Sequence, residues 1–329
     1  GGVATLIAMP LLLDAVPAPT GAQSLLAANV EPQEVPGLSE FILSLIAPNI
    51  IAAAAETAML PLTIFFALFA VAITRLAPEQ SAILRSFFEA VANAMLMVIG
   101  WVLWLAPVGV FALALGVALR AGGDAAFLTL LHYILTVAAM GGIVLVAAYV
   151  VGALRHGPLA FARAMLPAQA VAISTQSSLA SLPAMLASAR RLDLSENVSE
   201  FVLPLSVAIY RATSPAMNLA VAIYVAHLFG IELSWTAMLA GLAVAFVISI
   251  GSVSLPGTIS FVVSIGPIAL AMGVPVEPLA LLVAVEMLPD IMRTLANVTA
   301  DVALTSAVDR NSDGDLATDG ALGRSGPES

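Results

Sequence analysis

The sequence predicts an all-α polytopic membrane protein, and three observations predict it. Hydrophobic residues fill 61% of the 329 positions and charged residues only 10%, against about 25% charged in an ordinary globular domain; mean hydropathy is +1.05. Apolar runs of about 20 residues, the length that crosses a bilayer as a helix, recur along the chain. Those runs lack the short apolar/polar alternation of transmembrane β-strands. The same composition excludes several function classes. There is no cysteine, so disulfides, thiolate metal sites and cysteine nucleophiles are ruled out. His132, His156 and His227 are the only histidines, and no two have metal-ligand spacing. The net charge of −10 comes largely from acidic residues in 14–40 and after Asp309, both read as solvated segments. All eleven basic residues are arginines, and none cluster as a nucleic-acid site requires.

Taken in order, residues 1–13, "GGVATLIAMPLLL", are apolar but too short to span, and no charged region precedes them as in a signal peptide. They read as the end of a helix that starts earlier than this sequence. Residues 14–38, with several Pro, Glu and Gln, read as an external loop. Residues 39–75 are long enough to span, with a break near Pro48 or Pro61. Residues 76–88 are polar. Residues 90–119 form a second span, in which Trp101 and Trp104 fit either an interfacial belt or helix packing. Residues 127–153 form a third.

The segment 166–189, "LPAQAVAISTQSSLASLPAMLASA", has two apolar halves of about ten residues, each too short to cross, and reads as a re-entrant hairpin with a Ser-rich tip. Residues 200–229 form a full-length span. Residues 236–272 are interrupted by "SIGSVSLPGTIS" and read as a second hairpin. Residues 277–305 are the last span, and 306–329 are expected to be a disordered cytoplasmic tail. With both hairpins returning to their own side, every loop arginine except Arg120 falls on one face, as the positive-inside rule requires. A broken segment followed by a long span carrying an arginine thus occurs twice. Paired interrupted segments of this kind point to the binding site of a transporter built from inverted repeats.

The last span carries the polar residues. A charge at the centre of a membrane helix costs roughly 2.5–3.5 kcal/mol, yet "VEMLPDIMRTLANVTADVAL", 285–304, holds Glu286, Asp290, Arg293 and Asp301. At about 100° per residue, these four with Thr294 and Asn297 fall within an arc of about 100°. They therefore face the bundle interior as a column along one wall of a site. Arginine forks onto a carboxylate, and an aspartate one turn away accepts from an ammonium group, which together suit a zwitterion with an acidic side chain. Asn297 and Asp301, one turn apart, suit a hard cation. The bland alternative is a structural network in which the charges only neutralise one another. Ser177 and Ser178, at the first tip, fit either a carboxylate cradle or local backbone bonding; "SLPG", 254–257, is by itself a turn signal.

With these residues in hand, the chain resembles the dicarboxylate/amino acid:cation symporter family, the glutamate transporter homologues. "WVLWLAPVGVFAL", 101–113, is similar to that family's fifth helix, "STQSSLASLP" to its first hairpin, and "FVLPLSVAI", 201–209, to the start of its seventh helix. "SVSLPGTIS" is similar to the tip of its second hairpin, and "DIMRTLANVTAD" to its eighth-helix signature, D-x-x-R-T-x-x-N-V-x-x-D. The resemblance covers nearly the whole chain to about residue 308 and lacks the family's first two helices and most of the third. It implies a homotrimer in the plasma membrane (the inner membrane of a bacterium), surrounded by lipid, with scaffold helices over 39–126 and a mobile transport domain over 127–305 that moves as an elevator. It implies an acidic amino acid or dicarboxylate as substrate and no cofactor beyond a coupling ion, Na+ and/or H+. Asp290 would hold the substrate amino group, which favours an amino acid over a dicarboxylate. Arg293 would hold the side-chain carboxylate and Asn297 the α-carboxylate, while Thr294, Ser177, Ser178, Ser214 and the backbone of Leu255, Pro256 and Gly257 would line or close the pocket. Ser206, Asn297 and Asp301 would contribute to cation binding, with Na+ at Asn297 and Asp301.

One departure matters. The family's seventh helix usually reads N-M-D-G-T, and the aligned stretch here is "YRATS", 210–214. The Asn and Asp that help bind sodium become Tyr210 and Ala212, and the Met becomes Arg211. Arg211 is accordingly expected in the site as a substitute for a coupling ion, paired with Glu286 or with a substrate carboxylate. Gln176 and Leu179 also replace polar family residues. The competing classes are a channel, which needs a continuous polar pore, and an intramembrane enzyme, for which Ser177 or Ser178 lacks a nearby His or Lys base.

Overall fold

The computed structural model describes residues 1–19, 46, 48–55, 59–120, 124–251 and 257–309. Among these the chain is helical, with no strand. Helix α1 spans Gly2–Ala15, α2 Ile50–Ala55, α3 Met59–Ile73, α4 Pro78–Arg120 and α5 Asp124–His156. The first hairpin is α6, Pro158–Thr175, and α7, Ser178–Arg191. Then follow α8, Glu196–Ile209, and α9, Ser214–Leu228. The second hairpin pairs α10, Trp235–Gly251, with α11, Gly257–Ala271. A short α12, Leu279–Leu282, and a 3-10 turn, Val283–Val285, lead into α13, Met287–Asp309.

Local chemistry sets these boundaries. Asn49 caps α2, its Oδ1 accepting from the N–H groups of Ile51 and Ala52 at 2.9 and 3.2 Å. Between α5 and α6 there is only Gly157, whose φ of 80° lies in the left-handed region that glycine enters freely. Pro158 then starts α6, where its missing N–H costs nothing. Helix α9 is buried along nearly its whole length, which is why "SPAMNLAVAIYVAHL" has no polar face.

The apolar interior has two main parts. One joins α1, the first half of α5, α9, α10 and α11 around Tyr133, Met217 and Ile265. The other joins the end of α5 with α6, α7, α8 and α13 around Phe161, Met165 and Met185. A small seam of Val144, Ala216 and Ala296 lies between them. The outer faces of α3 and α4 leave Phe65, Phe66, Phe87, Met97 and Trp101 exposed, as surfaces facing lipid or a neighbouring subunit do.

Three segments differ from the sequence expectation. Residues 78–88, expected as a polar linker, open α4; Glu79, Gln80, Arg85 and Glu89 are good helix formers, so polarity there extends a helix beyond the apolar span rather than breaking it. The full-length span expected over 200–229 is two helices, α8 and α9. A continuous helix would need the N–H of residue 215 to reach the Arg211 carbonyl, and residue 215 is proline; the N–H of Ser214 bonds that carbonyl instead, at 3.1 Å. The last helix, expected to end at 305 with a disordered tail from 306, runs on to Asp309. Arg155 supports its end, donating from Nη1 and Nη2 to the carbonyls of Ser306 and Ala307 at 3.2 and 3.0 Å, a cation at the negative end of the helix dipole. Residues 310–329 lie outside the described residues.

Candidate functional site

The site is built where the tip of the first hairpin and the break between α8 and α9 both meet α13. The stripe on α13 faces inward as the helical spacing predicts: Asp290, Thr294, Asn297 and Asp301 are all buried. Glu286 stands on the turn just before α13 and is 0% exposed. Its carbonyl accepts from the Asp290 N–H at 2.9 Å, so it continues the same column.

Arg293 lies at the centre of a charge network. Its Nη2 donates to Glu286 Oε1 at 2.7 Å, and its Nη1 donates to Asn218 Oδ1 at 2.6 Å. Its Nε lies 3.1 Å from Asp290 Oδ1, in an orientation that makes an ion pair without a well-directed hydrogen bond. Tyr133 donates to the second oxygen of Glu286 at 2.9 Å. Four elements thus converge on one guanidinium: α5, α9, the 3-10 turn and α13.

The break supplies a second set of groups. Thr213 donates to Asn297 Oδ1 from its backbone N–H at 3.0 Å and from its hydroxyl at 2.8 Å. Arg211 enters the site from the same break and lines the same cavity as Asp301. Glu286, one of the partners the sequence suggested for Arg211, is engaged through both oxygens by Arg293 and Tyr133.

These groups enclose a cavity of about 30 Å³, room for about one or two waters. The hairpin tip contributes Gln176 and Ser178, and the end of α8 and the break contribute Val207, Tyr210 and Arg211. Ser214 from α9 and Asp290, Arg293, Thr294, Asn297 and Asp301 from α13 complete it. The expected residues Ser178, Arg211, Ser214, Asp290, Arg293, Thr294, Asn297 and Asp301 are therefore together. Ser177 is next to the cavity but does not line it: its hydroxyl oxygen caps α7, accepting from the Ala180 N–H at 3.2 Å. Ser177→Ala is expected to cost about 1 kcal/mol of stability, and thermal unfolding beside Ser177→Asp, which keeps a cap, measures it. Ser206 is buried within α8, away from the cavity. Leu255 and Pro256 lie outside the described residues, and Gly257 begins α11.

Some participants were not singled out from the sequence. Asn218 and Tyr133 complete the Arg293 network, and Val207 lines the cavity beside Tyr210, which the sequence marked only as a departure from the family. Gln176, noticed only as a departure, adopts a left-handed conformation with φ 51° that turns the hairpin tip. The signal for Asn218 was a polar residue inside an otherwise apolar span, which needs a partner at membrane depth.

A family model described as the sodium:dicarboxylate symporter family matches residues 2–311. The chain belongs to that family. A member of this symporter family is an integral membrane protein, and the family is one of carriers rather than enzymes. Among curated relatives, the mouse (Mus musculus) neutral amino acid transporter B(0) is 29% identical over 262 residues, which is 77% of this chain and 47% of the relative. The human (Homo sapiens) neutral amino acid transporter A is 28% identical over 253 residues, 74% of this chain and 46% of the relative. The proton/sodium-glutamate symport protein of Bacillus subtilis is 29% identical over 273 residues, 82% of this chain and 62% of the relative. The chain thus spans about half the length of the curated relatives it matches.

Proposed function

We propose that the chain carries the substrate site of a secondary active transporter that moves an acidic amino acid, such as aspartate or glutamate, coupled to a gradient of Na+ and/or H+. The observation that carries this reading is the buried pair of Arg293 and Asp290, 3.1 Å apart on the wall of a small polar cavity. A zwitterion with an extra carboxylate matches it group for group: ammonium to Asp290, side-chain carboxylate to Arg293, α-carboxylate to Asn297 and the Ser178 tip. Bidentate binding of a carboxylate by guanidinium is among the strongest polar contacts available. The cavity holds only water-sized space, so entry requires the tip at Gln176–Ser178 to move, and substrate-dependent closure of that tip gives alternating access. By the family resemblance the protein works as a homotrimer, residues 127–305 moving as an elevator against the scaffold, with the C-terminus cytoplasmic.

A second reading has its own support. Arg293 is already engaged by Glu286, Asp290 and Asn218, and several relatives are named as neutral amino acid transporters. In that case Arg293 is structural and the substrate has no side-chain charge.

Uptake by the purified protein in liposomes separates the two. Labelled aspartate, glutamate, alanine and serine would each be followed under a sodium gradient, a proton gradient and neither, with unlabelled aspartate, alanine, serine and succinate as competitors. Concentrative aspartate or glutamate uptake that falls at least 100-fold in Arg293→Ala is expected. Alanine or serine uptake that aspartate does not displace would sink the acidic reading in favour of the neutral one.

A further inference from the structure

The Asn297 amide oxygen has two lone pairs, and Thr213 takes both, through its N–H at 3.0 Å and its hydroxyl at 2.8 Å. Asn297 therefore offers no oxygen to a cation in this arrangement. One turn further along α13, Asp301 faces the same cavity, 1% exposed. Its Oδ1 has no hydrogen-bond partner among the described residues. An ionised carboxylate at that depth needs a positive charge beside it, because desolvation of an unpaired ion costs several kcal/mol. Arg293 does not provide it, being held by Glu286 and Asp290. The other basic residue lining the cavity with Asp301 is Arg211. Arg211 is placed there by the helix break that Pro215 enforces.

We infer that Arg211 is the built-in counter-cation of Asp301: its guanidinium holds the place beside Asn297 and Asp301 that a free alkali cation would take, so ligand binding at this cavity proceeds without a sodium ion on Asp301. The inference rests on reading the cavity as the substrate site of a cation-coupled carrier, and it narrows that reading. Any sodium that drives transport binds elsewhere. The guanidinium is always protonated and tethered to the chain, so Asp301 keeps its counter-charge on both sides of the membrane and makes no contribution to coupling.

Arg211 also opposes a second cation by direct repulsion. At separations of several ångströms and the effective dielectric of a protein site, one fixed positive charge weakens cation binding by about 100-fold. Its removal should therefore create a sodium site on Asp301. The test uses the purified protein with no amino acid present, so its outcome is independent of which substrate is carried. Sodium chloride is titrated against choline chloride at constant ionic strength while the thermal unfolding midpoint is followed. In the natural protein, Asp301→Asn is expected to leave the sodium response as it was. Arg211→Gln is expected to acquire a saturable, sodium-specific rise in midpoint that the double variant Arg211→Gln/Asp301→Asn lacks. Arg211→Lys keeps the charge and should acquire none. A sodium response in the natural protein that Asp301→Asn abolishes overturns the inference, and this comparison stands even where Arg211→Gln does not fold. So does an Arg211→Gln protein that folds but responds to sodium no more than the natural one.

Discussion

Arg293→Ala should destabilise the protein by about 3–5 kcal/mol even where no substrate is present, because removing one partner of a buried ion pair leaves the other charge uncompensated. Here two charges are left: Glu286, fully buried, and Asp290, 2% exposed. Thermal or denaturant unfolding of the purified protein in detergent measures the loss. The informative control is Arg293→Ala combined with Glu286→Gln. The amide keeps an oxygen for the Tyr133 hydroxyl, which donates to Glu286 at 2.9 Å, and removes the stranded anion. The double variant should recover a substantial part of the loss, a coupling of about 1–3 kcal/mol in a double-mutant cycle. Strict additivity of the two changes would mean that Glu286 and Arg293 do not depend on one another in the folded protein. The same cycle bears on the proposed acidic substrate: Glu286 and Asn218 hold the two Nη groups that a substrate carboxylate would take, so on that proposal the guanidinium exchanges them for it.

Phe161→Ala is the other substitution with a large expected effect, about 3–5 kcal/mol. The ring is 0% exposed in the core that ties the first hairpin to α5, and it meets Tyr149 edge to face at 5.5 Å between centroids. It also packs against Gly152, where a Cβ would run into the ring. Gly152→Val should therefore cost about 1–3 kcal/mol by overpacking, and Gly152→Val in a Phe161→Ala background should cost less than in the natural protein. An equal cost in both backgrounds would show that Gly152 is not kept small by that ring. Nearby, Gln169 donates to Tyr149 at 2.8 Å and to Thr299 at 3.0 Å. Phe161 and Gln169 thus hold α6 to α5 and α13 through one apolar and one polar contact, and the tip that covers the cavity extends from this anchored base.

Much of this arrangement was legible in the sequence for a physical reason: lipid tolerates few charges, so each one inside an apolar run carries information. The stripe was readable because Glu286 and the five polar residues on α13 repeat with the period of one helix face. The helix pair at 166–189 was readable from its short apolar halves and the pair at 236–272 from its Ser/Gly/Pro interruption. The break at Tyr210–Thr213 was not, although Pro215 announced it, because "FVLPLSVAIY" and "SPAMNLAVAIYVAHL" are each apolar and hydropathy does not register a change of direction. The partners of the stripe were harder still. Nothing local says that Glu286 goes with Arg293; that pair is completed by Tyr133 and Asn218, 153 and 75 residues away from the groups they bond. Ser177 misled for the opposite reason, since a serine at a helix start and a serine in a ligand cradle look alike until the cap is seen.

The polar column on α13 also has a consequence for biogenesis. Of the described helices, α13 is the last to leave the ribosome, and it carries three carboxylates and only one arginine into the membrane. The groups that meet this column are on earlier segments: Tyr133, which bonds Glu286, Asn218, which bonds Arg293, Thr213, which bonds Asn297, and Arg211 have all been synthesised by then. Inserted alone, such a helix would expose its acidic groups to hydrocarbon at roughly 2.5–3.5 kcal/mol each at mid-depth. Its integration is therefore conditional on a cradle that the preceding helices have already assembled. The final helix acts as a checkpoint: a chain whose earlier segments have misfolded has nowhere to seat it, and the quality of the whole bundle is tested at its last step.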